Sequence, residues 1–173
     1  MIIHHPKEVA FLATEKHAEN REFKHFLKSQ NNKQLDQEVA QIQEEIESKI
    51  NCTTCANCCK KLEAGITLEE AQRIADLQKT SLADFIATST EQEKNSGVLF
   101  LNNKPCIFLL DNKCTIYPSK PESCSTYPHL SGENFKYRLR SVFTNYALCP
   151  IVYNTIEQLK TKLNFPIVHS DNQ

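Results

Sequence analysis

The sequence of 173 residues has little of three residue types: three glycines, one methionine and no tryptophan. Phosphate-cradling loops need several glycines at fixed spacing, because the backbone must approach the phosphate closely. Gly65, Gly97 and Gly132 are too far apart to form a dinucleotide fingerprint or a P-loop. The sequence therefore argues against nucleotide-driven chemistry.

Long apolar runs and a strong net charge are also missing. No stretch approaches the ~20 consecutive apolar residues that a membrane-spanning helix requires. The formal net charge of -1 provides no global basic field to attract nucleic acid. The N-terminal residues lack the basic start and apolar core of a secretory signal. We therefore expect a cytoplasmic protein with no membrane and no nucleic-acid partner.

The remaining composition is that of a folded protein, with 40% hydrophobic and 24% charged residues. Good helix formers predict a first helix from Pro6 to about Leu27, and a one-sided apolar seam predicts a second helix from Leu35 to Ile50. We expect this seam to pack on the rest of the protein, with a partner helix as the alternative. Capping signals at Thr67 and Ser81 predict two further helices.

Strands are predicted in two places, and a helix near the end. Val98–Leu101 and Ile107–Leu110 flank a polar turn, a pattern that favours a β-hairpin. Alternating side chains from Phe135 to Ser141 favour a half-exposed strand, and apolar residues from Val152 to Leu163 predict a closing helix. The expected fold class is mainly helical α+β, with a small β-hairpin or sheet and a loop-rich cysteine centre.

This pattern predicts one compact domain with three regions. Residues 1–50 form an N-terminal helical region that packs on the core. Residues 51–150 form a cysteine-cluster metal-binding domain. Residues 151–173 form a C-terminal helix and a tail that we expect to be frayed over Ser170–Gln173.

The abundant residue is cysteine, and the candidate metal ligands are all eight: Cys52, Cys55, Cys58, Cys59, Cys106, Cys114, Cys124 and Cys149. In a Cys-x-x-Cys segment the two intervening residues turn the chain, so that both thiolates can face one metal. Bacterial ferredoxins use the same C-x-x-C-x-x-C run together with a Cys-Pro, and Cys149-Pro150 is such a pair here. Zinc, with four tetrahedral thiolates, suits the same residues.

Three other interpretations of the cysteines are weaker. Inert buried thiols would be scattered, whereas four cysteines here fall within eight residues. A disulfide framework needs an oxidising compartment, for which there is no export signal. A dithiol redox motif explains one Cys-x-x-Cys but not the other cysteines. Adjacent side chains diverge, so Cys58 and Cys59 are expected to serve two neighbouring sites or different roles.

The motif and its downstream context resemble a known family. Cys52-Thr-Thr-Cys55-Ala-Asn-Cys58-Cys59 resembles the signature of the bacterial zinc- or iron-chelating cysteine-cluster family, named for its CxxCxxCC motif. The segments around Cys106, Cys114 and Lys120-Pro121-Glu122-Ser123-Cys124 look like the second half of that family. Lys120 and Ser125 stand where the family usually has arginine. The resemblance implies a metal or iron–sulfur role but supplies no substrate.

The leading hypothesis is an iron–sulfur cluster protein with a redox or electron-transfer role and a redox partner protein. Its expected cluster ligands are Cys52, Cys55, Cys58 and one distant cysteine such as Cys149. The alternative is a zinc-binding structural or interaction module without catalysis. A third hypothesis, an enzyme with mononuclear iron, would need an open coordination position. None of the three assigns a catalytic residue.

Several polar residues near the cysteines are further candidates. Lys60 and Lys61 either offset thiolate charge or are solvated. His129 is expected to lie outside the ligand set. Lys136, Arg138 and Arg140 form either an anion-binding strip or, the more favoured interpretation, a solvated face.

Overall fold

The computed structural model describes residues 1–93, 97–102 and 104–166, and it confirms the mainly helical α+β fold class. The α-helices are α1 (Pro6–Glu15), α2 (His17–Ser29), α3 (Asn32–Glu47), α4 (Cys52–Cys55), α5 (Asn57–Lys61), α6 (Leu68–Gln78), α7 (Leu82–Ser89), α8 (Glu122–Ser125), α9 (Leu139–Tyr146) and α10 (Pro150–Lys162). The strands are β1 (Gly65–Ile66), β2 (Thr90–Gln92), β3 (Leu99–Leu101), β4 (Leu109–Leu110) and β5 (Lys113–Cys114). Short 3-10 helices cover Tyr117–Ser119 and Phe135–Tyr137. Among the residues described, no helix combines the length and apolar character needed to cross a membrane.

The chain forms two compact units. The helical unit comprises the described residues of Met1–Asn51 and Pro128–Gln173, and the cysteine unit is Cys52–Tyr127. The helical unit includes residues 128–150. Ser170–Gln173, expected to be frayed, lie outside the described residues.

Helix α3 confirms the predicted apolar seam. Its buried residues are Leu35, Val39, Ile42, Gln43 and Ile46. The Asn31 side chain accepts a hydrogen bond from the Gln34 N–H and caps the helix. The seam packs on α10 within the helical unit, as the core interpretation predicted. Helix α10 also confirms the closing helix, and Pro150 occupies its first turn.

The predicted first helix is divided into α1 and α2 at Lys16. A cluster of charged groups lies at this junction and in the adjacent core. Lys160 is only 1% exposed, and its Nζ lies 2.6 Å from Glu19 Oε1 and 2.6 Å from Glu157 Oε1. Lys16 Nζ lies 2.8 Å from Glu157 Oε2, and the Tyr146 hydroxyl donates to Glu157 Oε1 at 2.7 Å. This buried ion cluster joins the helix junction, α2, α9 and α10.

The strand predicted over residues 135–141 is wrong. A 3-10 helix at Phe135–Tyr137 is followed by α9, and the buried residues of α9 are Leu139, Val142 and Tyr146. Those positions are three and four residues apart, which is a helical spacing. The alternating pattern over residues 135–141 is too short to reveal this spacing. The Asp36 carboxylate accepts the N–H groups of Asn134 and Phe135, both at 2.8 Å, and starts the 3-10 turn.

The hairpin predicted between Val98–Leu101 and Ile107–Leu110 is also wrong. Strand β3 is the centre of an antiparallel sheet of order β1–β3–β2, whereas β4 pairs with β5. Asp111 and Asn112 both have positive φ, at 49° and 62°, as a tight two-residue hairpin turn requires. The second apolar run therefore turns back on residues that follow it in the chain.

Helices α6 and α7 confirm the two capping predictions. Thr67 and Glu70 form a complete capping box at α6, and the Ser81 side chain caps α7. Their apolar faces join the sheet in one core, whose buried members are Ile66, Ala71, Ile74, Ala75, Phe85, Leu99, Leu101, Phe108 and Ile116. Cys106 and Cys114 pack against this core, so the cysteine unit positions two of the candidate ligands directly.

Candidate metal centre

The CxxCxxCC segment is more helical than the sequence predicts. Helix α4 contains Cys52 and Cys55, and α5 contains Cys58 and Cys59. Ala56, between them, has a left-handed φ of 50°, a conformation that cannot continue a right-handed helix. No glycine or proline separates the four cysteines, so helical backbone hydrogen bonds can form. Cys52 and Cys55 are three residues apart, so they lie on the same side of α4.

The other three cysteines of this unit come from separate elements. Cys106 lies in a turn, and its N–H donates to the Cys59 carbonyl oxygen at 2.8 Å. Cys114 lies in β5, opposite Leu109 of β4. Cys124 lies in α8, where the neighbouring Ser123 hydroxyl donates to the Gly65 carbonyl oxygen at 2.8 Å. Backbone and side-chain hydrogen bonds therefore hold the segments around these cysteines.

Four thiols interact electrostatically in all of their pairings, and we call Cys59, Cys106, Cys114 and Cys124 the thiol tetrad. Burial raises the pKa of Cys106 and of Cys114, and negative charge at Cys59 raises both further. Burial raises the pKa of Cys124 to about 11, with added contributions from the other three thiols. These three groups hold their protons at neutral pH.

Cys59 is the exception in the thiol tetrad. A hydrogen bond from Cys58, with the two Sγ atoms 3.9 Å apart, lowers the pKa of Cys59 to about 6. Burial opposes this shift, whereas the backbone N–H of Cys59 and the charges of Lys120 and Lys60 add to it. Cys59 is therefore a thiolate at neutral pH, the form that binds metals.

Two lysine charges act on Cys59. The sequence indicated Lys60 for this role but not Lys120. Lys60 acts on the Cys59 thiolate, as the charge-offset interpretation predicted. Lys120 acts in the same way, and its Nζ lies 4.1 Å from the centre of the Tyr117 ring. Sequence reasoning noted Lys120 only as a departure from a family pattern. The position of Lys120 next to Pro121, four residues before Cys124, was the signal in the sequence that could have placed it near the cysteines.

The thiol tetrad fits metal chelation by its chemistry, because one thiolate and three neighbouring thiols form an all-sulfur donor set. The thiols do not form a ready-made site for a single ion. Across residues 1–93, 97–102 and 104–166, no three Cys, His, Asp or Glu side chains are arranged to hold one metal ion.

The remaining predicted ligands have different surroundings. Cys52 is exposed, Cys55 and Cys58 are partly buried, and α4 contacts β5, which contains Cys114. Cys149 is buried in the helical unit, where it precedes the first residue of α10. His129 also belongs to the helical unit; burial and the Arg138 charge lower its pKa. Cys59 interacts electrostatically with Cys106, Cys114 and Cys124, and its Sγ lies 3.9 Å from the Cys58 Sγ.

Comparison with known families supports a metal-binding function for this part of the chain. The model of the CxxCxxCC family, described as a "putative zinc- or iron-chelating domain", matches residues 51–143, more than half of the chain. The chain belongs to the CxxCxxCC family. No curated protein and no solved structure shows significant similarity to it. The match to the CxxCxxCC family includes every cysteine except Cys149.

Membership of the CxxCxxCC family indicates metal binding as the function of the matched region and makes zinc and iron the candidate metals. Sequence reasoning found all the thiols but could not rank them. The CxxC spacing emphasises Cys52, Cys55 and Cys58, whereas in the fold Cys59 interacts electrostatically with Cys106, Cys114 and Cys124. That grouping depends on pairings between distant segments, which spacing does not encode.

Proposed function

We propose that this protein is an iron–sulfur protein with a redox or electron-transfer role, and that the thiol tetrad holds the cluster. The observation that supports the proposal most is the all-thiol composition of the tetrad. Its four thiols come from four separate elements and interact electrostatically in every pairing. Iron–sulfur clusters are held by cysteine thiolates, typically four of them, and bacterial ferredoxins use the C-x-x-C-x-x-C run that this chain contains.

The residues around the tetrad suit a redox role. Bound there, an iron–sulfur cluster would supply one-electron chemistry. Lys60 and Lys120 place positive charge near Cys59, which favours the more negative, reduced state of the centre and raises its reduction potential. The packing of Cys106 and Cys114 against the apolar core limits their movement. Cys52 is exposed, so it would lie near the surface that a redox partner protein approaches.

The proposal includes a cytoplasmic location, where thiols remain reduced, and all eight cysteines as the candidate ligand pool. The thiol tetrad is the preferred ligand set. Cys52, Cys55 and Cys58 are the second group, available for a neighbouring site or for exchange with the tetrad. The adjacent Cys58 and Cys59 would then belong to different groups.

A zinc-binding structural or interaction module is the second candidate. Four thiols from four separate elements could close a tetrahedral zinc site after side-chain rotation, and such a site would stabilise the cysteine unit. Zinc would then contribute to folding rather than to electron transfer.

Anaerobic purification followed by an absorbance spectrum and metal analysis tests both candidates. We expect a brown protein with a broad visible absorption band, bound iron and acid-labile sulfide. A colourless protein with stoichiometric zinc and no sulfide would contradict the iron–sulfur proposal and support the zinc module. A protein with neither metal, and with its thiols oxidised to disulfides, would contradict both.

A further inference from the structure

The three cationic side chains of residues 136–140 lie in three different environments in the structure. Lys136 Nζ lies 3.4 Å from the Gln30 carbonyl oxygen and 5.5 Å from the centre of the Tyr137 ring. Arg138 donates to four successive carbonyl oxygens, those of His129, Leu130, Ser131 and Gly132. In the part of the chain that the structure describes, the Arg140 guanidinium has no such partner. Arg140 is therefore the cation that remains available.

Arg140 lies beside a surface cavity of about 480 Å³ in the helical unit. The cavity is lined by Tyr137, Arg138, Arg140, Ser141, Thr144 and Asn145. None of these six residues carries a carboxylate, two carry a guanidinium, and the others offer hydroxyl and amide groups. The volume lies within the range of small-molecule sites, roughly 300–1,000 Å³, and the space is a shallow depression that is widely open to solvent. We call this space the α9 cavity.

The charges of the α9 cavity are not balanced by the residues that line it. Both arginines lie at the start of α9, whose first turn contains no acidic residue and whose N-cap residue, Arg138, makes no side-chain capping hydrogen bond to the helix. Cations at the positive end of a helix are unfavourable, so this placement costs stability. Arg138 also has a buried Nε without a hydrogen-bond partner in the described structure. An anion in the cavity would offset the first cost, whereas the Arg138 Nε is buried out of its reach.

We propose that the α9 cavity binds a small phosphate monoester. The phosphate would be held by the Arg140 guanidinium, which matches phosphate oxygens with paired N–H donors. The Tyr137 ring is 75% exposed and offers an apolar surface for a flat organic group of the ligand. The Asn145 amide and the Ser141 hydroxyl supply neutral polar contacts. This site is independent of the metal proposal, because it uses no cysteine.

Binding of three probes to the full-length protein tests the site. Titration calorimetry with inorganic phosphate, adenosine monophosphate and adenosine separates the phosphate contribution from the ring contribution. We expect adenosine monophosphate to bind most tightly, inorganic phosphate more weakly and adenosine least, with affinity falling as salt is added. Equal binding of adenosine and its monophosphate, or no binding of either phosphate probe at about 1 mM, would overturn the proposal.

Two variants and a control complete the test. Arg140→Gln should weaken binding of adenosine monophosphate about tenfold or more, since it removes a charge-assisted pair. Ser141→Glu should abolish binding by placing a carboxylate in the cavity, while raising the thermal midpoint, because an acid suits the first turn of α9. Arg21→Gln removes an exposed arginine of the same unit and should leave binding unchanged. Unchanged binding in Arg140→Gln and Ser141→Glu would refute the assignment.

Discussion

The backbone N–H of Cys106 donates to the carbonyl oxygen of Cys59 at 2.8 Å, across more than forty intervening residues. Both residues belong to the thiol tetrad. One main-chain hydrogen bond therefore fixes the distance between the two backbone segments that carry these cysteines. Because Cys106 also packs against the core, the position of Cys59 is coupled to the sheet and to α6. Part of the proposed site is therefore organised by the fold itself.

Serine replacement of single cysteines should rank the ligands. Cys59→Ser and Cys124→Ser remove tetrad thiols, and we expect each to abolish bound iron and sulfide or to reduce them more than tenfold. Cys52→Ser removes an exposed thiol outside the tetrad and should reduce metal content by less than half. Metal and sulfide analysis of anaerobically purified protein measures all three.

The matched control for that series is Cys149→Ser in the helical unit. Metal content close to that of the unsubstituted protein is expected, because the tetrad already supplies four thiols. Loss of metal in Cys149→Ser together with Cys52→Ser, and retention in Cys124→Ser, would instead favour the ligand set that the CxxCxxC spacing predicts.

Glu70 connects the capping of α6 to the segment that contains Cys124. One carboxylate oxygen accepts the Thr67 N–H at 2.9 Å, and the other accepts the Glu122 N–H at 2.7 Å at the start of α8. Glu70→Ala should lower the free energy of unfolding and also weaken metal binding about tenfold, as loss of a supporting hydrogen bond commonly does. Urea denaturation and competition with a chelator measure the two effects.

Thr67→Ala separates those two effects. It removes the capping hydrogen bond from the Glu70 N–H and the side-chain contact of Thr67 with the Glu70 carboxylate, so the free energy of unfolding should fall by about 1 kcal/mol. Metal affinity should be unchanged, because the contact between Glu70 and Glu122 remains. Equal metal affinity in Glu70→Ala and Thr67→Ala would show that the hydrogen bond between Glu70 and the Glu122 N–H does not support metal binding.

Lys160 balances two carboxylates in the core of the helical unit. Lys160→Met keeps most of the side-chain volume but leaves Glu19 and Glu157 with less positive charge, so we expect the free energy of unfolding to fall by about 3–5 kcal/mol. Lys162→Met is the control on the same helix, since Lys162 is 55% exposed and lies 3.7 Å from Glu38. The control should change stability by less than about 1 kcal/mol in urea denaturation.

The same buried ion cluster predicts an acid dependence. Burial alone would raise the pKa of Glu157, but the hydrogen bond from Lys16 and the charge of Lys160 lower it below its ordinary value of 4.5. A lowered folded-state pKa stabilises the protein above 4.5, and this contribution is lost as pH falls through the folded value. The thermal midpoint should therefore drop below pH 4.5 less steeply in Glu157→Gln than in the unsubstituted protein. Identical acid profiles would remove Glu157 as a source of this dependence.

Local signals in the sequence were sufficient for much of the helical structure. The seam of α3, the capping box at Thr67 and Pro150 at the start of α10 each depend on residues within a few positions of one another. Such contacts are encoded in the segment itself, so periodicity and capping chemistry predict them. The cysteine spacing likewise indicated the metal-binding function of the family.

The errors arose where distant segments decide the structure. Strand β3 pairs with Gly65–Ile66 and Thr90–Gln92, neither of which reads as a strand by itself. The segment from Phe135 to Ser141 alternates over too few residues to exclude a helix, and the contact with Asp36 that starts its 3-10 turn comes from α3. The grouping of Cys59 with three later cysteines depends on the same kind of long-range pairing.

The order of the two units along the chain has a consequence for biosynthesis. The cysteine unit is continuous, whereas the helical unit is divided between residues before Cys52 and residues after Tyr127. A ribosome therefore releases every tetrad cysteine before it releases α10, on which α3 packs. The thiols can meet their metal on the nascent chain, while half of the helical unit is still to be made.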